Sequence, residues 1–486
     1  MEQEIAVEEV KSRSAKGIIV LTGRTFILQL ISFAAQLFLF AYLDISDFGI
    51  FALVSAVVNF LTYFSDIGLA ASLIQKKSEP TLQDYRTTFT IQQTLVLILI
   101  ILLFLFSGKI SGYYDLNING LYLLYALGIS LFLSSLKSIP SVILERKLEF
   151  TKLVIPQVAE QIIYNVSLVL LAMNGFGIAS FTYSVLLRSF AGLIIIYYIS
   201  PWKVGFDFSI SSLKELFKFG IPYQLNTFLA TIKDDGMTIV LGSILGSTGI
   251  GILSFAQRIG RYPLTFFMDA VTKVTFPAFS RLQDSKNDLE KTVTRSIFFI
   301  CFLVFPSLVS LVILLPVITE VIPRYSKWSA AFWPLLLISI NYMFAAATTQ
   351  LTNLLSAIGK IKITFFLMIM WTVLTWIFVP FLAYKFGVNG ASSGYMLVGL
   401  SSVAAVVIAK RYVDFSIIDS IIKPLLGSII MGVTLIVSTR LLPYNFNSLI
   451  MLVIIGGVSY LISMVSIIGV SLIEDAKKSF KQVFNK

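Results

Sequence analysis

The sequence contains no histidine and a single cysteine, Cys301. Without histidine the usual proton carrier at neutral pH and the commonest metal ligand are missing. One cysteine excludes an internal disulfide and leaves no thiol pair for a metal, so neither a metal nor a cofactor is expected. Charge is scarce as well. Only 13% of the 486 residues are charged, where a soluble chain carries about a quarter. No phosphate-binding glycine loop, zinc-ligand spacing or nucleotide motif occurs, which excludes an ATP-driven pump within this chain. What fills the space is apolar: 57% of the residues are hydrophobic and the mean hydropathy is +0.88. This is the composition of an all-α polytopic membrane protein, for which length does not count domains. No cleavable signal peptide is expected, because the first apolar run, 17–43, is too long and follows a Glu-rich start.

Runs of about 20 apolar residues mark spans. They lie near 17–43, 47–74, 87–107, 118–144, 153–173, 177–200, 218–245, 249–279, 293–318, 330–357, 361–384, 389–409, 419–440 and 448–472, about 14 in all. The net charge of +11 could suggest a nucleic-acid partner, but the basic residues sit in short connections between apolar runs. With the N-terminus inside, 25 of the 37 Lys and Arg fall in inner connections and 5 in outer ones. That bias sets both termini in the cytoplasm and speaks for membrane lipid, not nucleic acid.

The halves of the chain repeat. LTYFSD at 61–66 returns as LTFFMD at 264–269, and Phe48-Gly49-Ile50 returns as Ile250-Gly251-Ile252. Thr22, Thr25, Gln29, Ser32 and Gln36 share one helical face. Gln224, Thr227, Thr231, Asp234 and Thr238 repeat that spacing at an offset of 202. Ser55, Asn59, Thr62 and Asp66 are matched by Arg258, Tyr262, Thr265 and Asp269 at 203. The pattern predicts a cytoplasmic segment 1–16, a six-helix lobe 17–200 and an amphipathic linker 201–217. A second six-helix lobe 218–409, two further helices within 419–472 and a basic tail 473–486 follow. Both lobes start on the same side, so the repeat is parallel, and in such folds the substrate site lies between the repeats.

Charge inside a span costs roughly 2.5–3.5 kcal/mol at the centre, so it tends to face a wet cavity or the bundle interior. The stretch 219–284 alone carries Lys233, Asp234, Asp235, Arg258, Arg261, Asp269 and Lys273. Arg258 and Arg261 are three apart on one face, a spacing suited to gripping adjacent phosphates. Arg24 and Arg188 are the other cations near span centres. Lys137 reads as a snorkelling residue near the interface, and Lys273 as a local partner of Asp269. Asp66, Asp234, Asp235, Asp269 and Glu160 are candidates for ion coupling or gating. Asp234 continues the polar stripe, Lys233 pairs locally, and Glu160 belongs to a patch with Gln157, Gln161 and Tyr164. The bland alternative for the polar stripes is interhelical hydrogen bonding, and for the charges, structural ion pairs.

The run DFGIFALVSAVVNFLTYFSDIGLAASLIQ, the turns ILERKLEF and NGFGIAS, the segment FPAFSRLQD and the element LLSAIGK resemble the Wzx-type polysaccharide flippases. These belong to the multidrug/oligosaccharidyl-lipid/polysaccharide (MOP) exporter superfamily, which includes the MATE transporters. The resemblance runs from about residue 15 to 415. It implies a V-shaped cavity between two lobes and a substrate built of polyprenyl diphosphate carrying an oligosaccharide, moved from the inner to the outer leaflet of the cell membrane by alternating access. Arg24, Arg258, Arg261 and Arg188, with Gln29 and Asn59, are then the expected substrate-binding residues. A polysaccharide polymerase and chain-length machinery are expected partners. A drug or cation exporter of the same superfamily is the alternative, although its pocket should be acidic. An enzyme is not expected, since the outer loops hold only scattered acids, Asp44, Asp47, Asp115 and Glu320.

Overall fold

The computed structural model describes residues 7–469, with side chains from Gly23 onward except at positions 219, 222, 223, 225–230, 269 and 270. Internal packing divides the chain into two compact units, Met1–Gly251 and Ile252–Lys486. No strand occurs among the described residues. In hydrocarbon every backbone N–H and C=O needs an internal partner, and helices supply one within each segment.

The first unit holds α1 (Val7–Tyr42), α2 (Ile45–Thr62), α3 (Leu69–Gln75), α4 (Leu82–Tyr113), α5 (Ile118–Leu136), α6 (Ser138–Arg146), α7 (Phe150–Met173), α8 (Ala179–Ile199) and α9 (Ile210–Thr231). A π-turn, Ile232–Gly236, joins α9 to α10 (Met237–Arg281). The second unit continues with α11 (Lys286–Val321), a 3-10 segment Pro323–Ala331, α12 (Phe332–Ala357), α13 (Ile361–Ser401), α14 (Val403–Lys410), α15 (Lys423–Leu441) and α16 (Phe446–Ile468).

Twelve segments among the described residues are long and apolar enough to cross a membrane. The difference from the fourteen expected runs arises at two glycines. Gly246 leaves helical geometry with φ 64°, and Gly387 with φ 60°. Gly387 reverses the chain. A Cβ on Gly390 would fall 1.9 Å from the Leu382 carbonyl oxygen, and one on Gly394 2.7 Å from the Val379 Cα. Fifteen residues of straight helix would set Gly394 and Val379 about 22 Å apart. The segment 361–410 is therefore an antiparallel pair of helices packed backbone to backbone through glycine.

Polar side chains inside spans mostly return to their own helix. Thr62, Thr90, Ser141, Ser167 and Ser189 each donate to the carbonyl four residues earlier at 2.6–2.9 Å. Such back-bonding hides a hydroxyl without a neighbouring helix. Helix ends use caps: Thr81 accepts from the Asp84 amide at 3.2 Å and Asn117 from the Gly120 amide at 2.8 Å. The ILERKLEF turn has a specific task. Arg146 donates to the Leu73, Ile74 and Lys76 carbonyls at 2.6–3.0 Å, closing the C-terminus of α3. Next to it Lys76 pairs with Asp84 and Glu215, both at 3.0 Å. Desolvation opposes the Lys76 charge, but the two carboxylates outweigh it and hold the ammonium above the ordinary lysine value.

The expected linker helix over 201–217 begins later than the sequence suggests. Residues 201–209 are non-helical. Their Asp207 and Ser209 amides donate to Thr90 and Thr87 of α4 at 3.1 and 3.2 Å, and this side-chain pairing holds them extended. From Ile210 the chain runs as one helix into the next span, with Leu216 buried against Leu69, Leu73 and Phe89. A matching device closes the other half. Asp-Phe-Ser-Ile at 207–210 recurs at 414–417, and Ser416 donates its amide to Thr294 of α11 at 3.2 Å. Both pairs, Ser209–Thr87 and Ser416–Thr294, are 207 positions apart in the sequence. The repeated glycines also meet. A Cβ on Gly49 would fall 1.7 Å from the Ser247 carbonyl and 3.0 Å from the Gly251 nitrogen, so α2 and the start of α10 cross in direct backbone contact.

Cys301 is completely buried in the core of the second unit, among Ile297, Val304 and Leu354. Leucines, isoleucines and phenylalanines such as Phe104, Leu105, Phe190 and Ile194 stand exposed along the spans. In water such a surface would aggregate, whereas in lipid it needs no cover.

Candidate functional site

The site grows from α7. Gln157, Glu160, Gln161 and Tyr164 follow i, i+3, i+4, i+7 spacing, one face of the helix, and extend about 10 Å along it. Each is met from another element. Arg24 of α1 donates through Nη1 to the Gln157 Oε1. Gln161 donates to the Ser32 hydroxyl of α1 at 2.9 Å. Lys137, between α5 and α6, pairs with Glu160 at 2.7 Å. The Arg188 guanidinium of α8 lies 5.0 Å from the Tyr164 ring centroid.

Three cations thus converge on one helix face that carries one carboxylate. The Arg24 Nε is buried with no hydrogen-bond acceptor, and a guanidinium presents its donors as a planar fork. Surplus positive charge beside a buried donor without an acceptor is an arrangement that an anion such as a phosphate would complement, since arginine binds phosphate oxygens bidentately.

Lys137 differs from its expected behaviour. It lies nine residues before the end of the apolar segment Ile118–Arg146, about 13 Å along the helix. It turns inward to Glu160, and the two side chains are only 16% and 19% exposed. Gly192 of α8 makes the pairing sterically feasible: a Cβ there would sit 1.7 Å from the Glu160 Oε1. Neither the Lys137–Glu160 pairing nor the part of Gly192 follows from periodicity in one sequence.

The other expected residues are distributed as follows. Gln29 is half-buried on α1. Asn59 donates to Asp235 at 3.4 Å, and Lys233 pairs with Asp234 at 3.5 Å, so the Lys-Asp-Asp triplet sits on the π-turn with Asp235 as the acid facing α2. π-Turns inside helices often mark functional positions. Asp66 accepts from the Gln92 side chain and from the Ala70 amide at 3.1 Å, at the entry to α3. In the second unit Arg258 is half-buried and Arg261 is exposed one turn later. Asp269 lies outside the described residues, and Lys273, its expected neighbour, is exposed. A separate polar knot was not foreseen from the sequence. Gln350 is fully buried, accepts from Thr275 at 3.0 Å and donates to Thr272 at 3.3 Å. Its signal was a polar run, Thr348-Thr349-Gln350 with Thr352 and Asn353, inside an otherwise apolar helix α12.

Fold and site together define a class: a helical, multi-pass membrane protein with three cations gathered on one helix face within its spans. The chain belongs to the family of polysaccharide biosynthesis proteins, whose family model matches residues 41–332. It is similar to the lipopolysaccharide biosynthesis protein WzxC of Escherichia coli (strain K12), with 22% identity over 400 residues, 79% of this chain and 76% of that protein. It is also similar to the succinoglycan biosynthesis transport protein ExoT of Rhizobium meliloti (strain 1021), with 24% identity over 240 residues, 49% and 48% of the two chains. Among solved structures, the lipid II flippase MurJ in an inward closed conformation superposes with a TM-score of 0.74, at 17% identity, over 92% of this chain and 98% of that one. An inward-facing multidrug resistance MATE family transporter of the MOP superfamily gives 0.58, at 16%, over 81% and 97%. The fold is that of the MOP superfamily.

Proposed function

We propose that this protein flips a polyprenyl-diphosphate-linked oligosaccharide from the inner to the outer leaflet of the cytoplasmic membrane. The observation that carries the reading is the convergence of Arg24, Lys137 and Arg188 on the α7 stripe with Glu160 as its one acid. A lipid diphosphate brings two phosphates into the membrane plane, and cations in a low-dielectric setting hold them. The relatives named for lipopolysaccharide and succinoglycan biosynthesis, and the lipid II flippase fold, point to the same substrate class. Transport is the activity this reading assigns, in line with the transport protein and the flippase to which the chain is similar.

In this reading both termini are cytoplasmic, the lobes 17–200 and 218–409 alternate access, and an ion gradient drives the cycle through the acids Asp234, Asp235, Asp66, Asp269 and Glu160. Arg258, Arg261, Gln29 and Asn59 complete the substrate path. A polymerase and chain-length machinery consume the product on the outer face.

The test is lipid extraction and mass spectrometry from cells depleted of the protein. A diphosphate-linked polyprenyl oligosaccharide should accumulate, shielded from an externally added probe. No accumulation, together with new sensitivity to cationic compounds, would replace this reading with a drug exporter.

A further inference from the structure

The Lys137–Glu160 pair occupies an unusual place. It lies inside the anion-receptive cluster, yet it neutralises a third of the positive charge there. The side chains are neither sealed nor free, at 16% and 19% exposure. The Glu160 carboxylate lies flat on α8, because a Cβ on Gly192 would meet its Oε1 at 1.7 Å and its Cδ at 2.3 Å. One turn further along the same two helices, Tyr164 faces Arg188. Lys137 and Arg188 therefore meet α7 at positions 160 and 164, one helical turn apart along that helix. Adjacent phosphates of one diphosphate group could address two cations placed on successive turns. Arg24 stands beside them at Gln157 with its free Nε.

We infer that Glu160 is an intramolecular stand-in for substrate phosphate: carboxylate and phosphate compete for the Lys137 ammonium, and Gly192 is the position that admits the carboxylate. This rests on the reading of the substrate as a lipid diphosphate. The logic is electrostatic. An empty intramembrane lysine is costly, and Glu160 supplies its counter-charge between transport events. An incoming diphosphate offers two charges to Lys137, Arg188 and Arg24 together and displaces the carboxylate. The displaced Glu160 then stands next to the bound phosphates as a like charge. Re-forming the pair expels the substrate. Lys137 is thus a substrate-binding residue held in reserve, and Glu160 and Gly192 are positioning residues that set how tightly the site holds and how readily it lets go.

The competition has a signature that a mere brace lacks. The full chain is reconstituted in nanodiscs, and binding of undecaprenyl diphosphate and of undecaprenyl monophosphate is measured with thermal melts in parallel. Glu160→Gln should bind the diphosphate about tenfold tighter than wild type, a change of roughly 1.4 kcal/mol, while slowing flipping. Gly192→Ala deletes no charge and pushes only a flexible carboxylate aside, so it should also tighten binding, by less. Lys137→Gln should weaken binding, and adding Glu160→Gln to it should restore nothing. Lys137→Arg, which keeps the charge, should bind. If Glu160→Gln binds as wild type or more weakly, whatever its melting temperature, the competition is overturned and the pair is a structural brace. If wild type itself shows no preference for diphosphate over monophosphate, the flippase reading fails first and the competition with it.

Discussion

Arg24 contributes one guanidinium nitrogen to Gln157 and keeps a second, Nε, buried without an acceptor. A buried donor left unpaired is costly, on the order of 1–3 kcal/mol, so the residue is better satisfied with an anion present than without one. Lysine at the same position would bring the charge but not the planar fork. Arg24→Lys is therefore expected to lower diphosphate binding almost as far as Arg24→Ala, by about tenfold, while a melting curve moves little. Wild-type binding by Arg24→Lys would show that only charge matters there. Much of this was legible early: Arg24 and Arg188 were visible as cations in apolar runs, and the Gln157, Glu160, Gln161, Tyr164 patch as one helical face. The partner of each cation was not legible, because that depends on which helices neighbour α7. Lys137 shows the gap. It was read as snorkelling, and its pairing instead required knowing that Glu160 and Gly192 lie opposite.

Elements show the same division between local pattern and contact. The repeat was read at offsets of 202 and 203 and gave the two sets of polar faces. The Asp-Phe-Ser-Ile copies escaped that reading because their offset is 207, the register having slipped across the intervening connections. Physically they are equivalent anchors, each closing a half of the chain onto its long third span through a threonine hydroxyl. Their surroundings differ, since Phe415 is buried and Phe208 exposed. Thr294→Val should leave the Ser416 amide without its acceptor and destabilise the second unit by about 1–3 kcal/mol, read as a lower melting temperature in detergent. Thr294→Ser keeps the hydroxyl and should melt as wild type. Equal melting of the valine variant would mean the contact contributes nothing. At Gly387 the two runs expected over 361–384 and 389–409 correspond to two passes of one continuous helical segment, and the glycine contacts across the reversal show them packed together. The shorter motifs that carried the family resemblance lie at helix ends. Arg146 closes α3, Gly175 and Gly177 take positive φ between α7 and α8, and Gly359 does so before α13.

At the scale of the whole molecule the basic residues bear on orientation and hence on the direction of lipid movement. Translocation retains Lys- and Arg-rich short loops on the cytoplasmic side, and with the N-terminus taken as inside, the proposed inner connections hold 25 Lys and Arg against 5 in the outer ones. The chain provides its own probe background. Cys301, the sole thiol, is fully buried in the second unit's core, and a membrane-impermeant maleimide should leave wild type unlabelled in intact cells. New cysteines can then be introduced singly. Lys385→Cys, two residues before the Gly387 reversal, and Arg324→Cys in the 3-10 segment should label from outside. Lys286→Cys, at the start of α11, and Lys203→Cys, in the extended connection before α9, should label only after permeabilisation. All four positions lie in connections, at helix ends or beside the Gly387 break, so each substitution removes one charge without opening a buried core. The pattern must hold as a set. If Lys286→Cys and Lys203→Cys label in intact cells while Lys385→Cys and Arg324→Cys do not, the chain sits inverted. The α7 cluster would then open its basic stripe first to the outer leaflet, and the direction of lipid movement would have to be reversed with it.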